Sequence, residues 1–109
     1  MDWKEPKEVF PELYRWGYSL GREVGEDNKG EDPDEVFEVF SYTFPQGAEF
    51  CYFVAPEIEE AAKAEAEETG DDLDACLQDA WDAFWEGVGD GIEDGVNGKV
   101  KELEDEVVH

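Results

Sequence analysis

Five carboxylates, Asp79, Asp82, Glu86, Asp90 and Glu93, recur at intervals of three and four residues late in the chain. Turned at about 100° per residue, they fall within about 80° of one another, a single file along one side of a helix. At a rise of about 1.5 Å per residue the file is roughly 21 Å long, with neighbours about 5–6 Å apart. Carboxylates in a row can do three kinds of chemistry. A pair can act as general acid and base, a cluster can hold a hard cation, and a rigid row can imitate the phosphates of a nucleic acid.

The first two uses find little support. With 32 acidic residues, any pair of carboxylates could be put forward for acid–base work. The only histidine is the terminal His109, and Cys51 and Cys76 form no CxxC, so zinc sites and Ser/His or Cys/His triads lack raw material. The stretch DGIEDGVNGKVKE invites comparison with a calcium loop. Counted from Asp90, however, position 3 is Ile92 and position 12 is Lys101, where oxygen ligands are required. GVGDGIEDG contains a loose GxG, but acids fill the space an anion would need. The expectation is a chain without catalysis, cofactor or metal site.

The third use fits the charge. The chain carries 32 acids against 8 bases, for a net charge of −24. That balance argues against direct contact with DNA, RNA or an anionic membrane and favours a basic partner. Glu57, Glu59, Glu60, Glu65, Glu67 and Glu68 crowd the stretch before the file, and Lys63 is the only base between residues 57 and 98. Like charges at these spacings each cost a few tenths of a kcal/mol. An ordinary solvated face would intersperse Lys or Arg to relieve that cost. The expected function is inhibition by mimicry: the file, supported by Glu60 and Glu67, occupies the basic groove of a nucleic-acid-binding protein. In size and composition the chain resembles the small acidic proteins with which phages and mobile elements block restriction or CRISPR machinery. Such acidity has two rival causes. One is adaptation of the surface to molar salt, which the aromatic content and the six Lys against two Arg fit less well. The second is service as an acidic interaction module or chaperone for a different basic partner.

Elements must position these groups. At 109 residues the chain makes one domain, able to bury about two thirds of its unfolded surface. FPELYRWGYSLGREVG plots as an amphipathic helix with Pro11 in its first turn. GEDNKGEDPDE reads as a loop. EVFEVFSYTF and AEFCYFVA, dense in β-branched and aromatic residues and flanking PQG, predict a β-hairpin over residues 35–44 and 48–55. Residues 57–69 read as a helix stopped by Gly70, and the pattern from Leu73 predicts one continuous helix to about residue 97. The tail KVKELEDEVVH either extends that helix or frays. The fold class is therefore α+β, with Trp16, Leu20, Phe40, Tyr42, Phe53, Leu77, Trp81, Phe84, Val88 and Ile92 in the core.

Two glycine rows run through the helices, Gly17, Gly21 and Gly25 in the first and Gly87, Gly91 and Gly95 in the last. Glycine costs about 1 kcal/mol per helical site relative to Ala, so each row needs a reason. Rows at this spacing let helix backbones approach closely. They predict that the first and last helices pack against each other in one subunit, with a homodimer through the rows as the alternative. The rows also echo one another, Tyr14, Gly17, Gly21 and Gly25 matching Phe84, Gly87, Gly91 and Gly95. No apolar run is long enough for a membrane span, and MDWKEPKEVF lacks the form of a signal peptide. The expected location is the cytoplasm (the host's, for a phage protein), with both cysteines partly buried and free, a disulfide between them being the alternative.

Overall fold

A computed structural model describes residues 5–98, so the tail 99–109, His109 included, lies outside the described residues. The described chain runs through α1 (Pro6–Val9), α2 (Pro11–Asp27), α3 (Pro33–Thr43), α4 (Ala55–Thr69) and α5 (Leu73–Val96). A 3-10 turn at Phe44–Gln46 and a π-turn at Phe50–Val54 lead from α3 into α4. Among the described residues there is no strand, so the α+β class and the hairpin over 35–44 and 48–55 are corrected to an all-helical fold.

The physical reason lies at Asp32. Its carboxylate accepts the Asp34 amide at 3.0 Å, Pro33 occupies the first helical position, and Asp34 and Glu35 fill the first turn. That is a helix start. Once α3 is helical, Val36, Phe37, Phe40 and Phe44 share one side and pack against the core. Residues two apart share a strand face but stand about 200° apart on a helix. Tyr42 therefore leaves the side of Phe40 and is 74% exposed, and Phe53 in the π-turn is 67% exposed; neither is the core residue expected. β-Propensity records how a side chain fits its surroundings, and here those surroundings are the indoles of α5. Phe37 and Phe40 meet Trp85 with ring centroids 6.2 and 6.3 Å apart, and Phe50 stacks on Trp81 at 5.4 Å.

α5 is a single helix over its whole expected length. Phe84, Val88 and Ile92 are fully buried, with Ile58 and Ala62 of α4, while Trp16, Leu20, Leu77 and Trp81 pack partly buried around them. α4 closes at Gly70, whose left-handed φ of +78° suits a residue without a side chain.

The glycine rows pack against each other within the chain. A Cβ added at Gly17, Gly21 or Gly25 would stand closer than 3.0 Å to the carbonyl oxygens of Phe84, Val88 and Ile92 respectively. One added at Gly87, Gly91 or Gly95 would meet those of Tyr14, Tyr18 and Arg22 as closely. Residue numbers rise together on the two helices, so α2 and α5 run parallel, and residues 28–72 form the crossover between them. The contacts are reciprocal: each glycine faces the carbonyl three residues before its counterpart in the other row. The echo is therefore a local pseudo-twofold, with equivalent positions offset by 70. Cα–H groups that close to carbonyl oxygens add weak hydrogen bonds to the seam.

Candidate functional site: the outer face of α5

The pseudo-twofold relates backbones but not side chains. On one flank of the seam Tyr14 and Tyr18 reach from α2 to Asp90 and Asp94 of α5. Tyr14 donates its hydroxyl to Asp90 at 2.5 Å, and Tyr18 donates to Asp94 at 2.6 Å. The equivalent positions on the other flank are Phe84 and Val88 on α5, with Leu20 and Val24 on α2, all apolar and packed in the core. One symmetric backbone arrangement thus receives an oily flank and a hydrogen-bonded flank, the latter part-buried at Tyr14–Asp90 and buried at Tyr18–Asp94.

The hydrogen-bonded flank decides how much of the acidic file is free. From Asp82 through Glu93, Glu86, Asp79 and Asp90 to Asp94, the carboxylates turn progressively toward the glycine seam. Burial follows that order. Asp82, Glu93 and Glu86 are exposed, Asp79 and Asp90 are half-buried, and Asp94 is buried. A charge can stay buried only with hydrogen bonds to hold it, and the Tyr18 hydroxyl supplies one to Asp94. Asp90, expected at the partner-facing surface, is half-buried and also serves the contact with α2. The exposed part of the file is Asp82, Glu86 and Glu93, which spans about 16 Å along the helix.

A base from α1 reaches the file at Glu86. Lys7 of α1 stands 3.4 Å from Glu86, with its ammonium 5.7 Å from the centroid of the Tyr14 ring. The hydrogen bond to Glu86 and the charge of Glu86 raise the Lys7 pKa above the ordinary lysine value. Burial raises the Tyr14 phenol well above its ordinary value, and the bond to Asp90 adds to the effect. Glu60 and Glu67 are exposed but stand apart from the file. They lie about 180° around α4 from Ile58 and Ala62, its buried side, and so make a separate outer face.

Compared with family models, with curated proteins and with solved structures, the chain matches none. The site must therefore be read from its own chemistry. Among the described residues no three carboxylate, thiol or imidazole groups converge as a metal ion would require. No described helix is long and apolar enough to cross a membrane. Cys76 is buried, and burial raises its thiol pKa, which keeps it protonated and inert. Cys51, expected to be partly buried, is exposed because it lies in the π-turn rather than on a strand; both thiols are free.

Sequence reasoning missed the Tyr14–Asp90 and Tyr18–Asp94 rungs, and Asp94 altogether. A signal was present. Tyr14 and Tyr18 are four apart and border the first glycine row, while Asp90 and Asp94 are four apart and border the second. Two rows forced into contact bring their borders together.

Proposed function

We propose that the chain is a non-catalytic inhibitor that mimics nucleic acid, placing the outer face of α5 in the basic groove of a nucleic-acid-binding protein. The observation that carries this reading is the exposed row Asp82, Glu86 and Glu93 on a helix fixed from behind by backbone contact with α2. A mimic needs both charge and rigidity. A loose acidic tail pays ordering entropy on binding, whereas a preformed row does not. With Asp79 and Asp90 counted, the helix offers one carboxylate per roughly 5 Å, against one phosphate per about 3.4 Å along a DNA strand. The spacing is close enough for a groove of Lys and Arg to accept and wide enough to limit self-repulsion.

Lys63 is the only base between residues 30 and 98, so nothing in that stretch but Lys63 would repel a cationic groove. Steering by a net charge of −24 would speed encounter and make it sensitive to salt. The test compares the native chain with the triple reversal Asp82→Lys/Glu86→Lys/Glu93→Lys. Asp90 is left alone because its bond to Tyr14 belongs to the fold. Basic proteins captured on the immobilised native chain should release a labelled duplex when free chain is added. The reversal should fold, judged by circular dichroism, and displace nothing. Capture without loss of nucleic-acid binding would contradict mimicry and leave an acidic interaction module. A native chain that folds only in molar salt would instead point to salt adaptation.

A further inference from the structure

Among the described residues, four large apolar side chains are more than half exposed, and all lie between positions 39 and 53. They are Val39 (62%) and Tyr42 (74%) on α3, and Tyr52 (74%) and Phe53 (67%) in the π-turn. The two arms that carry them meet at Phe44 and Phe50, with ring centroids 5.4 Å apart. Beside Val39 a groove of about 430 Å³ opens between α3 and the end of α2, floored by Val24, Val36 and Phe40 and rimmed by Glu31 and Glu35. Single exposed apolar residues are ordinary, but a concentration of this kind marks a contact surface.

We infer that this face of α3 and the π-turn is a second docking surface, and that its occupant is an amphipathic helix whose apolar row is flanked by Lys and Arg. The charge frame selects that occupant. No Lys, Arg or His occurs between Gly30 and Ala62, whereas Glu31 and Glu35 line the groove beside Val39 and Glu38 lies with Val39 and Tyr42. A wholly apolar partner would leave these acids desolvated without counter-charges. A second copy of the chain would bring the same acids against them, at a net charge of −24 on each side. A basic amphipathic helix satisfies both parts, its apolar side entering the groove and its flanks meeting the rim, as in helix-in-groove recognition. The inference stands on the exposed apolar face and does not depend on the α5 file.

The experiment titrates the full chain with a synthetic helical peptide of Leu and Lys whose leucines lie on one side. A scrambled peptide of the same composition, with its leucines spread around the helix, is the control. Amide chemical shifts report the site, at a salt concentration of about 0.15 M and at several times that. The ordered peptide should shift residues 31–53 and bind about tenfold more tightly than the scramble. Val39→Ser/Tyr42→Ser should remove that advantage, and both positions are exposed enough for the fold to survive. Asp82→Lys/Glu86→Lys should leave it in place, which separates this surface from the file. Equal binding of the two peptides, or shifts confined to α5, would overturn the inference. So would a concentration-dependent dimer in sedimentation that Val39→Ser/Tyr42→Ser abolishes, since the face would then belong to a second copy.

Discussion

The α2/α5 seam and the segment from α3 through the π-turn are closed in different ways. In the seam, backbone lies on backbone, and there is no room for one added carbon at Gly17, Gly21, Gly25, Gly87, Gly91 or Gly95. In the α3–π segment, the rings of Phe37, Phe40 and Phe50 gather around Trp81 and Trp85, while Val39, Tyr42, Tyr52 and Phe53 stay outside. The first closure leaves no room for a side chain at the glycine positions. The second is a set of rings that can re-pack with small changes in angle. The chain therefore has a fixed part, which carries the charges, and a more adaptable part, which carries the exposed apolar groups.

Substitutions should separate the two parts, and the largest effect belongs in the seam. Gly91→Leu must drive α5 away from the backbone of Tyr18, Gly21 and Arg22. A loss of about 3 kcal/mol or more is expected. At about 4–8 °C per kcal/mol, a thermal melt would show it plainly. An unchanged melting temperature would mean that the helices are not in contact there. Tyr18→Phe comes next. It removes a donor from the buried Asp94 carboxylate and should cost about 2 kcal/mol in urea denaturation, more than Tyr14→Phe at its half-buried site.

Tyr14 also sets a pH response. The phenol of Tyr14 has its pKa raised in the folded chain, so the stability it contributes is intact below the ordinary tyrosine value of about 10 and falls as pH rises above it. Alkaline melts should show a downward slope that Tyr14→Phe makes shallower; equal slopes would remove the assigned role.

Smaller effects sharpen the contrast from outside the row. Gly89 is a helical glycine outside the seam, and a Cβ there would sit 3.7 Å from the Phe37 ring, an ordinary contact. Gly89→Ala should raise stability by about 0.5–1 kcal/mol, opposite in sign to Gly91→Leu on the same helix. The smallest effect is expected for Lys7→Gln, which breaks a partly exposed ion pair with Glu86 worth about 0–1 kcal/mol.

The same contrast governs what is legible in the sequence. The seam is legible because glycine at helical spacing has few uses, and because the apolar residues from Leu73 to Val96 keep one phase throughout. The α3–π segment misleads because its Val, Phe and Tyr residues carry strand propensity. Asp32-Pro33-Asp34-Glu35, a helix start, is easily divided between the loop and a first strand. The file is legible as a direction on α5, and its three exposed members are where the helical plot puts them. What the plot cannot supply is the neighbour. Nothing on α5 alone says that Tyr14 and Tyr18 border its acidic side.

Amide hydrogen exchange tests most directly whether α5 is a fixed platform for its carboxylates. Amides of residues 84–96 and 17–25 should exchange only with global unfolding, while those of residues 36–54 should open locally at a lower free energy. Exchange along α5 as fast as that of α3 and the π-turn would contradict a fixed platform, because a helix that opens so readily could not hold Asp82, Glu86 and Glu93 in a preformed row.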